Sequence, residues 1–135
     1  MRVRWTSILT LVLATILGAG AIAAAQGNAP VNVATKEMPV AVTAGDYVLV
    51  NQVLDIPPGV SIGKHTHGGP AVVTVISGEL TVTDPNGTAT LKAGQSATEP
   101  MGYAHSVVNK GTTTARVSVS YLIPKGAAMT TMSKM

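Results

Sequence analysis

The chain of 135 residues has no cysteine and no phenylalanine. The first absence excludes disulfides, thiolate metal ligands and a cysteine nucleophile. The second, with one tryptophan (Trp5) and three tyrosines, leaves the core to Val, Ile, Leu and Ala. A valine-rich core favours sheet. Charge is scarce too, with Asp, Glu, Lys and Arg together at 11%. The formal net charge is +3, yet without Arg2 and Arg4 seven basic residues face six acidic ones. No run of Lys or Arg is present and there are few rings for bases to stack on, which argues against nucleic acid as a partner.

The N-terminus reads MRVRWTSILTLVLATILGAGAIAAAQG, a basic start, an apolar stretch and then Ala23-Ala24-Ala25. These are the three parts of a secretory signal. The predicted cut follows Ala25, so residues 1–25 are removed and Gln26 begins the mature chain. An uncleaved anchor is the rival reading, because the apolar run approaches the roughly 20 residues of a membrane span. The Gly and Ala content after Leu17 favours removal. The expectation is an exported protein, periplasmic or secreted, with no stable membrane insertion after cleavage.

Residues 26–45 show no clear period and read as a leader that joins a sheet edge. YVLVNQVLDI (from Tyr47) is apolar and β-branched, and Pro57-Pro58-Gly59 ends it. A loop with the histidines follows, then the dense strand AVVTVISG. ELTVT leads into Asp84-Pro85-Asn86-Gly87, where Pro sets φ and Asn-Gly tolerates positive φ, and TATLKAG returns as the partner. Gln95–Glu99 leads to a turn at Pro100-Met101-Gly102, Ala104–Asn109 is a short strand, and ARVSVSYLI alternates until Pro124 stops it. Residues 124–135, PKGAAMTTMSKM, read as a flexible tail. Short strands with Gly/Pro turns predict an all-β barrel or sandwich over residues 46–123.

The chain has three histidines in all, His65, His67 and His105. Residues i and i+2 of a strand share a face, so His65 and His67 can present both imidazoles to one point. Imidazole suits Zn, Cu, Fe or Ni. The plain alternative is two polar residues near a strand end.

The surroundings weigh on that choice. Gly59, His65, His67 and Gly78 resemble the first motif of the cupin family, G-x5-H-x-H-x3–4-E-x6-G. Gly94, Pro100, Gly102, His105 and Asn109 resemble the second, G-x5-P-x-G-x2-H-x3-N. The resemblance covers about Tyr47 to Ile123. It implies a cupin-type β-barrel, the double-stranded β-helix or jelly roll, with one divalent transition metal (Zn, Cu or Fe) held by His65, His67 and His105. It also makes a small-molecule ligand or substrate the expected partner and a homodimer compatible with the fold. Some members of the family have lost the metal and only bind a ligand.

One slot departs from the pattern. Where the family has its glutamate ligand this chain has Ala71, and the x4 spacing would offer Val72. Mechanisms that need that carboxylate are thereby put in doubt. Three neutral imidazoles leave the full 2+ charge on an ion, which acidifies bound water and keeps a coordination position open.

Tyr103 shares the parity of His105 and is the candidate general acid or substrate donor, against a packed tyrosine at the barrel mouth. Glu99, before Pro100, is a candidate replacement carboxylate from another strand, against an ordinary surface glutamate. Thr66 and Lys64 have the opposite parity and should point away. Met129, Met132 and Met135 stand three apart and offer thioethers to Cu(I), against a plain disordered tail. The sequence therefore predicts an exported metal-binding cupin, either an oxygenase- or lyase-type enzyme on a small oxygen-rich molecule or a non-catalytic binding module.

Overall fold

The computed structural model describes residues 34–133. The predicted signal (1–25), the start of the leader (26–33) and Met135 lie outside the described residues. Within them every regular element is a strand, and no helix is long and apolar enough to cross a membrane.

Nine strands form two antiparallel sheets. β1 (Tyr47–Ile56), β8 (Ala115–Pro124), β3 (Ala71–Ser77) and β6 (Ser96–Glu99) make one, in that order. β5 (Gly87–Lys92), β4 (Glu79–Asp84), β7 (His105–Val108), β2 (Ser61–His67) and β9 (Thr130–Met132) make the other. This is the expected all-β jelly roll. Alternation places the core: Val73 and Val75 of β3 and Val117, Val119, Tyr121 and Ile123 of β8 are buried. With no phenylalanine the interior is filled by β-branched side chains, each worth about 1.5–3 kcal/mol when buried.

Two bulges break the alternation. In β2, Ile62 pairs with Val107 but His65 pairs with His105, so β2 has one residue more than β7 between them. Ile62 and His65 stand an odd number of residues apart, and regular pleating would send them to opposite faces. The extra residue lets Ile62 pack against the core while His65 also faces inward, 4% exposed. β3 has a similar shift between Val75 and Ser77, which leaves Ile76 half exposed.

Asn109 closes the far end. It is fully buried, and its side-chain amide donates to the carbonyls of Ile56 and Thr113, both at 2.8 Å, while its Oδ1 accepts from the Gly111 N–H at 2.9 Å. The second-motif asparagine is thus a latch between strand ends. Asn109→Ala leaves buried backbone groups without partners and is expected to cost about 2–4 kcal/mol. A urea titration followed by circular dichroism measures it, and a change below 1 kcal/mol would reject the latch.

Two expectations are corrected, and a third segment is assigned its element. The tail is not free: Thr130–Met132 form β9, paired with His65–His67 of β2. Backbone groups on that edge of β2 are otherwise unpaired, which is what the strand satisfies. The stretch before Pro100 is a strand too, β6, laid along β3. The described part of the leader, by contrast, contains no strand. Pro39 lacks an N–H for a ladder, and Met38–Thr43 instead line an apolar cavity of about 290 Å³ with Pro70, Met101 and Pro124.

Candidate metal centre

β2 carries His65 and His67 on one face, and the register sets His105 of β7 directly opposite His65. Opposed residues on neighbouring strands share a face. The ring centroids lie 4.3 to 5.1 Å apart, and one nitrogen from each ring falls within 4.8 Å of the others. All three side chains are buried.

The orientation of each ring is fixed from behind. Nδ1 of His65 donates to the Gly63 carbonyl at 2.8 Å, that of His67 to Met129 at 3.0 Å, and that of His105 to Tyr103 at 3.0 Å. A carbonyl only accepts, so each Nδ1 carries the hydrogen and each neutral ring keeps its Nε2 lone pair for the interior. A backbone bond at the rear nitrogen is how metal-binding histidines are commonly held. The Met129 carbonyl comes from the residue before β9, so the C-terminal strand helps to orient a histidine in the centre.

The opposite sheet supplies the other wall. One cross-strand row runs Tyr121 of β8, Ala71 of β3, Glu99 of β6. Glu99 is 7% exposed, with Oε2 3.2 Å from His67 Nε2 and Oε1 3.3 Å from His105 Nε2. Glu99 is therefore not the surface residue its type suggested. It stands beside the slot that Ala71 leaves without a carboxylate.

This arrangement calls for a cation. Nε2 of a neutral ring and a carboxylate oxygen are both acceptors, and Glu99 Oε2 is buried without a hydrogen-bond partner. An uncompensated buried carboxylate is costly. A proton on a ring or a metal ion among the nitrogens resolves the conflict, and three imidazoles with a carboxylate are a donor set suited to a transition metal. The residues present fit such an ion. Burial opposes the charge of His67, but Glu99 and the Met129 carbonyl outweigh it and raise its pKa, whereas burial lowers that of His65. Tyr121 packs edge-on against His67 at 4.9 Å, and burial, then the charge of Glu99, pushes its phenol up to about 12. It stays protonated at neutral pH.

Space around the histidines is small, about 40 Å³. A second cavity of about 220 Å³ reaches His105 and Glu99 from beside the β4–β5 hairpin, past Asn86, Thr88, Thr98 and Tyr103. Its lining includes Asp84 and no Lys or Arg. Tyr103 precedes β7 rather than lying on it, so strand parity does not aim it. Its hydroxyl oxygen accepts a hydrogen bond from the Asn86 amide, which leaves the phenol's own hydrogen for another acceptor.

Lys64 is exposed and Thr66 half-buried. Met129 packs against the core while Met132 is 56% exposed. Tyr121 was not singled out in the sequence, although the alternation of ARVSVSYLI puts it on the inner face with Val117 and Val119.

The cupin domain family matches residues 52–123. The fold is similar to an uncharacterised conserved protein with a double-stranded β-helix domain from Klebsiella pneumoniae, 32% identical over 70% of this chain and 80% of that one, with a TM-score of 0.54. It is also similar to a predicted oxalate decarboxylase from Thermotoga maritima, 28% identical over 56% of this chain and 65% of that one, TM-score 0.51. A structure of DMSP lyases shares the fold at 24% identity and a TM-score of 0.57, over 64% of this chain. The chain spans 44% of that lyase's length. No curated protein matches.

Proposed function

The chain belongs to the cupin-domain family, and from that premise we propose that it is an exported, metal-dependent cupin acting on a small oxygen-rich molecule. The observation that carries this reading is the convergence of three imidazoles, each ring held from behind by a carbonyl, on one buried point beside a larger cavity. A bound Zn, Cu or Fe ion supplies Lewis acidity there, or redox chemistry with O₂ in the case of Fe or Cu. Oxygenase- or lyase-type turnover is the reaction class we assign.

The chain's own residues define the rest. The cavity offers hydroxyls from Thr88, Thr98 and Tyr103 and the amide of Asn86, with no basic side chain to neutralise an anion. That lining suits a neutral hydroxylated molecule, or one whose single acidic group goes to the ion. Tyr103, with its oxygen held by Asn86, can donate its hydrogen to ligand or leaving group. Tyr121, protonated, cannot serve as a base at neutral pH. Export rests on the basic, apolar and small-residue parts of residues 1–25.

A second reading has its own support. The space at the histidines is close to 40 Å³ and position 71 carries no reactive group, which fits a module that captures a metal or ligand without chemistry. One experiment separates the two. Protein recovered from the exported fraction, with its N-terminus expected at Gln26, is loaded with Fe, Zn or Cu and offered a panel of small hydroxy and carboxy compounds in air. Turnover that a His105→Ala control lacks supports the enzyme. Thermal stabilisation by panel compounds without turnover supports the binder.

A further inference from the structure

We infer that Glu99 is the fourth ligand of the metal centre, so that the carboxylate missing at Ala71 is supplied from the neighbouring strand. The inference rests on the metal-binding reading above and adds to it a residue outside the first-motif slot. Ala71 and Glu99 are direct partners in the register of β3 and β6, so their side chains leave the sheet on the same face. Moving a carboxylate from one to the other shifts its backbone origin by about one strand spacing, 4.7–4.9 Å. The flexible glutamate stem makes up that distance. Here it has done so: Oε2 lies 3.2 Å from His67 Nε2 and Oε1 3.3 Å from His105 Nε2.

Three observations oppose a merely structural role. Glu99 is 7% exposed in a protein with few charges. Among the described residues its ion-pair partners are His67 and His105, whose Nδ1 hydrogens are already given to carbonyls. Its Oε2 is, among the described residues, the buried side-chain N or O atom left without a hydrogen bond. A single proton on His67 would pair with Oε2 alone, whereas one ion among the rings would satisfy the carboxylate and the three Nε2 lone pairs together. The charge consequence is direct. Three imidazoles and a carboxylate leave a divalent ion with a net single positive charge rather than the two units that Ala71 implied.

The test is zinc affinity, read by competition with a chromogenic chelator, together with melting temperatures of the metal-free forms. The proteins are wild type, Glu99→Gln, the exchanged pair Ala71→Glu/Glu99→Ala, and His65→Ala/His67→Ala. Loss of a partner that only supports a ligand weakens metal binding about 10–100-fold. Glu99→Gln, which keeps shape and removes charge, is expected to weaken zinc by at least that much while the metal-free protein melts no lower than wild type. The exchanged pair is expected to recover most of the affinity, because it returns a carboxylate to the same face. Glu99→Gln binding within threefold of wild type overturns the inference, and so does a drop in metal-free melting temperature with affinity unchanged. If the exchanged pair does not fold, Glu99→Gln alone decides. A wild-type protein that holds no metal overturns the metal-binding reading itself, whereas metal in wild type with Glu99→Gln unaffected overturns only the role of Glu99.

Discussion

Gly69→Ala is expected to prevent the barrel from folding stably. Gly69 lies between His67, the last residue of β2, and Ala71, the first of β3. A Cβ there would overlap the carbonyl oxygen of Leu122 and come within 2.9 Å of its carbonyl carbon and 3.1 Å of Ile123 Cα. These are backbone atoms of β8, which lies between β1 and β3 in its sheet and is tied to Pro70 by a 3.0 Å bond from the Leu122 N–H. No flexible side chain can yield. The backbone at Gly69 is not left-handed, so the requirement is for space, not for conformation. Overlaps of this kind belong to the rare class costing about 4 kcal/mol or more, against a total of about 5–15 kcal/mol for a domain. Gly63→Ala is the control: its Cβ would meet only Met132 Cε at 3.5 Å, an ordinary contact. Circular dichroism melts of both variants give the answer. A Gly69→Ala protein within 1 kcal/mol of wild type would show that the strands do not approach this closely.

His65→Ala/His67→Ala is expected to abolish metal retention. Two of three converging imidazoles go, and with them the rear bonds to Gly63 and Met129. Protein zinc sites with a full ligand set are worth about 10–16 kcal/mol, so losing half or more of the donors should weaken binding on the order of a thousandfold or beyond. Linkage converts this into stability. At a metal concentration of about 1,000 times Kd the wild type gains roughly 4 kcal/mol, and the variant should gain none. Elemental analysis of protein as purified and melting curves with and without chelator measure both effects. Equal metal content in the two proteins, or an unchanged chelator response, would remove the histidines from the centre.

Much of this site could be read before any coordinates. The spacing of His65 and His67 implied a shared face, and the second-motif spacing brought in His105. The DPNG turn and the valine-rich runs marked β3, β4, β5 and β8 closely. The inner face of β8, Tyr121 included, was also legible in the alternation of ARVSVSYLI. Two strands were not legible locally, for a physical reason. PKGAAMTTMSKM is short, polar in part and begins with a proline, and nothing local says that β2 has an open edge needing a partner. SATE carries one apolar residue and becomes a strand because β3 lies beside it.

Local pattern, then, determined most of the strands, the turns and the histidine pair, because pleat period and turn chemistry are properties of neighbouring residues. Long-range register decided the rest. The β2 bulge that turns His65 inward depends on pairing with β7. The carbonyl behind His67 arrives from the C-terminal strand. The carboxylate facing the histidines is visible only once β3 and β6 lie side by side. A one-residue slip in either pairing would send these groups to the opposite face, and no spacing within a single segment encodes which register the strands adopt.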